Sequence, residues 1–121
     1  MLFRSEVPMN VTLKVELLKG QAIAWPRFED DNYIMVAGSY RPLEDAFRIA
    51  YHGLIEWMAA EYGLAPLDAY QLLSQVSETK VTQLVDPNYT VIAKVAKKFL
   101  PPRKAGPTPH ERWRQAQAQQ R

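Results

Sequence analysis

The chain has 121 residues and no cysteine, which is long enough for one domain that buries roughly two thirds of its unfolded surface and excludes a disulfide framework or a thiolate metal site. Its formal charge of +2 is unevenly spread: residues 1 to 100 carry 10 Lys and Arg against 12 Asp and Glu, while residues 101 to 121 carry 5 against 1, so the basic excess belongs to the tail. No stretch approaches the roughly 18 apolar residues of a membrane span, and the start MLFRSEVPMN has too short an apolar run for a signal peptide, so a cytoplasmic protein without a membrane partner is expected.

Met1 to Ser5 carry no usable pattern. Val11, Leu13, Val15 and Leu17 then alternate with Asn10, Thr12, Lys14 and Glu16, the period of a strand with one face buried and one wet, which favours an antiparallel setting. Gly20-Gln21 reads as a turn into a short apolar piece, Ala22 to Trp25, stopped by Pro26. The acidic run Glu29-Asp30-Asp31 reads as an exposed loop. Tyr33 to Ala37 is a continuous apolar run bounded by Asn32 and Gly38, as expected of a strand buried on both faces.

Leu43, Phe47, Ala50, Leu54 and Met58 recur at steps of four and three, which places them on one face of a helix, with Asp45, Arg48, His52 and Glu56 opposite. Pro42 suits its first position, Glu44 and Asp45 suit the positive end of its dipole, and Glu44 stands four residues before Arg48, the favourable order for an ion pair. Gly63 can end this helix in the left-handed conformation, about 20 residues or roughly 30 Å after it begins. Pro66 can open a second helix whose inward stripe is Ala69, Leu72, Leu73 and Val76. The first helix is apolar beyond one stripe: Ile49 lies close to the polar face, and Tyr51, Ile55 and Tyr62 widen the apolar side beyond what one sheet face needs.

Lys80 to Val85 reads as a strand, Asp86-Pro87-Asn88 as a turn, and Tyr89 to Val95 as another strand. The sum is an α+β domain, residues 1–100, with a two-helix layer packed on a largely antiparallel or mixed sheet; the connection across the helices is long enough for parallel pairing. Pro101-Pro102 closes it. In the basic, proline-rich arm 101–121, Thr108 as cap, Pro109 and Glu111 have the form of a helix start. Arg103-Lys104 and Arg112-Trp113-Arg114 carry few charges and one aromatic ring, which fits a solvated arm or a subunit contact better than a nucleic-acid surface. The arm can also reach an acidic patch such as Glu29-Asp30-Asp31 on a second copy.

Five stretches, EVPMNVTLKVELLKG (6–20), DNYIMVAG (31–38), DAFRIAYHGLIEWM (45–58), EYGLAPLDAYQLLS (61–74) and VTQLVDPNYTVIAKV (81–95), resemble in order the C-terminal portion of the acetamidase/formamidase family. The resemblance implies an amide hydrolase that converts short amides such as formamide or acetamide to the acid and ammonia. The G-D-x-H and G-D-G-E motifs of that family precede the E-V-P-M strand and have no counterpart here, and Ser77-Glu78 stands where a Gly-Asp pair is common. Only Glu6 matches one of the family's active-site carboxylates, as a general base or a hard oxygen ligand for a divalent metal. Asp86 and Asn88, flanking Pro87, are candidates to line a binding site, although turn conformation alone favours them there. His52 reads as a surface histidine beside Arg48 and Glu56, and His110 as part of a helix start. No H-x-x-x-H, G-x-S-x-G or phosphate-loop pattern occurs. The expected chain is thus a C-terminal segment or small subunit, completed by an N-terminal amidase portion or held in a homo-oligomer; the alternative is a non-catalytic module, or a truncated copy, of the same fold.

Overall fold

In the computed structural model, which describes residues 8–119, the strands β1 (Arg27–Glu29), β2 (Tyr33–Tyr40), β3 (Glu78–Gln83) and β4 (Tyr89–Ala96) form one sheet in the order β1-β2-β4-β3, antiparallel at every pairing. The helices are α1 (Leu43–Trp57), α2 (Pro66–Val76) and α3 (Pro109–Ala118). This is the expected α+β arrangement, and the parallel pairing that the long connection allows is not used. The sheet's core face is written by registered cross-strand pairs: Ile34 faces Val95, Val36 faces Ala93 and Gly38 faces Val91, all buried. Alternation puts Met35 and Lys94 on the other face, where Lys94 pairs with Glu78 at 2.9 Å and lies 4.0 Å over the Tyr33 ring.

α1 covers the core face with Ala46, Ala50, Leu54 and Trp57, continued by Met58 just after it, all buried, while the expected stripe members Leu43 and Phe47 are partly covered. Small residues set the spacing. A methyl group on Gly38 would run into the backbone oxygen of Ala46 and come within 2.8 Å of the Ala50 nitrogen, so Gly38 does not end β2, as the sequence suggested, but lets α1 lie against it while the strand continues to Tyr40. Pro42 precedes the helix rather than opening it, and Arg48 pairs with Asp45 instead of Glu44. The last turn, Met58–Tyr62, widens into a π-helix before Gly63, whose φ of 68° is the anticipated left-handed stop.

α2 begins at Pro66 as expected and buries Ala69 and Leu73, with Leu72 and Val76 partly covered. It also explains the wide apolar side of α1. Tyr51 and Ile55 pack against the core there, and the Tyr51 hydroxyl is bonded to Ser77 Oγ at 2.9 Å and Thr79 Oγ1 at 2.6 Å. That side is therefore used within the chain. β3 starts two residues earlier than expected and carries a bulge at Thr82.

Two expectations at the N-terminal end are corrected. Val11 to Leu17 is not a strand: the segment has no ladder partner among the described residues and its apolar side chains lie in solvent. Alternation states which face a strand would bury, but a strand exists only where a neighbour supplies the hydrogen bonds. Glu29, read as part of an exposed loop, ends β1, and its side chain is only 9% exposed beside Lys97, 2.6 Å away. Asp30 and Asp31 do form the connection to β2, with Asp30 Oδ1 accepting from the backbone of Asn32 and Tyr33 at 2.7 Å each.

Candidate functional site

The sequence singled out Glu6, Asp86 and Asn88, and the structure describes the last two. Glu6 lies outside the described residues. Asp86 and Asn88 sit in the exposed turn between β3 and β4, at the sheet end that also carries Ser39, Thr82 and Thr90, around a shallow depression of about 470 Å³. Asp86 accepts from the side-chain nitrogen of Gln83, and Ser39 and Thr90 join hydroxyls at 3.1 Å. These are hydroxyl, amide and carboxylate groups able to hydrogen-bond a small polar molecule, on an open surface.

A second, more enclosed place lies at the other side of the fold, where β1, the π turn and the segment after Leu100 converge around a cleft of about 620 Å³. β1 contributes Arg27, Phe28 and Glu29, the helix end contributes Trp57 and Glu61, and the segment before α3 contributes Arg103. Arg103 donates from both Nε, at 2.8 Å, and Nη2 to Glu61 Oε2, and from Nη1 to the Gly106 carbonyl. The backbone N–H of Lys104 adds a bond of 2.8 Å to the Glu61 carbonyl. The pair clips the tail to the exposed end of the π turn, where the last carbonyls of a helix need donors. Its two side chains are 17% and 23% exposed, so it is a largely desolvated, two-point ion pair.

The electrostatics here hold protons in place. Burial, aided by the charge of Glu29, pushes the Tyr62 hydroxyl up to about 12, with Arg103 opposing. Tyr62 therefore keeps its proton at physiological pH. Glu29 stands against Lys97 and Glu61 against Arg103. The Trp57 indole N–H, buried beneath the Arg27 guanidinium 5.1 Å from its ring, has no hydrogen-bond partner among the described residues. The sequence did not reveal this cluster, because Glu29 was hidden in an acidic run and Arg103 in a basic tail.

The histidines lie apart. His52 is exposed on α1, 3.5 Å from Glu56, as the polar face suggested. His110 Nε2 donates to Asp31 Oδ1 at 2.8 Å, and Arg114 lies 3.1 Å from the same oxygen, so the basic arm reaches the acidic run of its own chain. Among the described residues no group of three or more His, Cys, Asp or Glu side chains is placed to hold a metal ion. Among the described residues no helix is long and apolar enough to cross a membrane.

No family model and no curated protein matches the chain. Solved structures do. An acetamidase from Yersinia enterocolitica shares 48% identity at a TM-score of 0.65, over 67% of this chain and 24% of that one. An acetamidase from Bacillus halodurans shares 25% identity at a TM-score of 0.59, over 64% of this chain and 26% of that one. The chain thus spans about a quarter of the length of the acetamidases it resembles.

Proposed function

From its likeness to the C-terminal portion of an acetamidase, we propose that this chain supplies that portion of an amide hydrolase of the acetamidase/formamidase type. It acts on short amides such as acetamide and formamide once an N-terminal portion completes it. The observation that carries the reading is the 48% identity to the Yersinia acetamidase over two thirds of this chain, against coverage of only 24% of that enzyme.

The chemistry accords with a divided site. Hydrolysis needs water delivered to the carbonyl carbon, donors for the oxyanion that forms, and a proton for the departing nitrogen. Among the described residues the half-buried carboxylates Glu29 and Glu61 face cations and Tyr62 keeps its proton. In this reading Glu6 takes the proton from water, or binds a divalent metal, beside groups of the completing portion; Asp86 and Asn88 offer a secondary, lining role. The pairing of these carboxylates also accords with a non-catalytic module of the same fold.

Co-expression decides between them. The chain is produced with a Yersinia acetamidase shortened by the quarter that this chain matches, and ammonia release from acetamide and formamide is followed. The amidase reading expects turnover by the pair and its loss in Glu6→Ala. A stable pair without turnover supports the non-catalytic module.

A further inference from the structure

Residues 10–17 lie on this chain the wrong way round for a solitary domain. Their polar row is held to the chain through Glu16, which pairs with Arg112 of α3 at 2.9 Å and with its row neighbour Lys14 at 2.8 Å. Their apolar row faces water, with Val11 63%, Leu13 82%, Val15 90% and Leu17 80% exposed. Among the described residues no backbone hydrogen bond joins this segment to another. In strand geometry the four apolar side chains form a stripe about 20 Å long, the length of an ordinary strand. Contiguous exposed apolar surface of this kind marks a contact site on a soluble chain.

We propose that residues 10–17 are a donated strand, which adds to the edge of a β-sheet in the N-terminal acetamidase portion, with Val11, Leu13, Val15 and Leu17 entering that sheet's core and Thr12, Lys14 and Glu16 remaining wet beside α3. This rests on the amidase reading above and names the contact through which the two portions join. Strand addition supplies the missing backbone hydrogen bonds, while the alternate side chains select a sheet with one apolar face.

The other occupants fit less well. A second copy offers the same eight residues, and a two-stranded ribbon is marginal in water. The free edges of this chain's own sheet are a three-residue strand, β1, and the polar, bulged β3, both poor templates for pairing. A preformed sheet is required, and the Yersinia acetamidase has most of its length beyond the quarter matched here.

The test mixes the full chain with the shortened Yersinia acetamidase and reads affinity by sedimentation and amide protection by hydrogen exchange. Val15→Lys, which places a charge in the apolar row, is expected to weaken binding about 100-fold, and Thr12→Lys, in the wet row, less than about threefold. Both positions are exposed, so unchanged thermal unfolding of each variant verifies that the fold survives. Amides of residues 10–17 are expected to exchange freely in the chain alone and to slow about 100-fold on binding. Equal effects of the two variants, binding without protection of 10–17, absence of binding, or protection that grows with the chain's own concentration would each overturn the proposal. A protected complex that releases no ammonia refutes the amidase reading but keeps the strand; turnover with 10–17 unprotected refutes the strand alone.

Discussion

Replacing Gly38 by alanine tests the contact that sets the whole fold, the approach of α1 to β2. The added carbon would run into the Ala46 carbonyl oxygen and lie 2.8 Å from the Ala50 nitrogen and 3.1 Å from Ile49 Cβ. Two of these obstacles are helix backbone, so no side chain can swing aside, and α1 as a whole must lift off the strand where Ala46, Ala50 and Leu54 are packed. Overfilled cores usually cost about 1–3 kcal/mol, and a rigid obstacle places this one near the top, about 3 kcal/mol. With a urea slope of about 2 kcal/mol per molar for a domain of this size, the midpoint falls by about 1.5 M. Gly106, where an added Cβ meets nothing within 4 Å, is the control, and Gly106→Ala is expected to stay within about 0.5 kcal/mol. Urea unfolding followed by tryptophan fluorescence reads both. An unchanged midpoint for Gly38→Ala, or an equal loss for Gly106→Ala, would refute the close packing of α1 on β2.

Leu54 is fully buried at the middle of α1, so Leu54→Ala is expected to cost about 2–5 kcal/mol, whereas His52→Ala on the exposed face costs well under about 1 kcal/mol; urea midpoints compare them. Thr108, 2% exposed, accepts at Oγ1 from the Glu111 N–H at 2.9 Å while the Glu111 carboxylate accepts from the Thr108 N–H at 2.8 Å, so Thr108→Ala is expected to cost about 1 kcal/mol and to fray α3, read by amide exchange. The Asp31 carboxyl is held below its usual value of 3.8 first by the His110 hydrogen bond and then by Arg114, and Glu16 below 4.5 by hydrogen bonds from Lys14 and Arg112. Both are depressed in the folded chain, so their contribution is present above the unfolded values and is lost as pH falls through the lower folded ones. The docking of α3 is accordingly expected to loosen only below about pH 4, and Trp113 fluorescence in an acid titration checks it; loosening near neutrality would contradict it.

What was legible in the sequence is what local chemistry decides. Gly63, Pro66 and Thr108 set helix ends through conformations and caps confined to a few residues, and the stripe through Ala50, Leu54 and Met58 needed only the helical period. Tyr89 to Val95 was found because its β-branched run is bounded by a clear turn. The misses depended on distant partners. Val11 to Leu17 has the pattern of a strand without a ladder, the Glu29 side chain is largely covered and paired with the distant Lys97, and Gly38 resembles a terminator until α1 is laid against it. The Glu61–Arg103 clip joins residues 42 positions apart, and no short-range signal announces such a pair. Of the candidate site, the turn holding Asp86 and Asn88 was found as a turn, while the enclosed cleft beside Trp57 was not foreseen.

The central claim is that this chain provides part of an amidase and needs the rest. The measurement that meets it most directly is ammonia release from acetamide by the purified chain alone and after addition of the shortened Yersinia acetamidase. The account predicts no release above background for the chain alone and catalytic release by the pair. Catalytic ammonia release by the chain alone, abolished in Glu6→Ala, would contradict it.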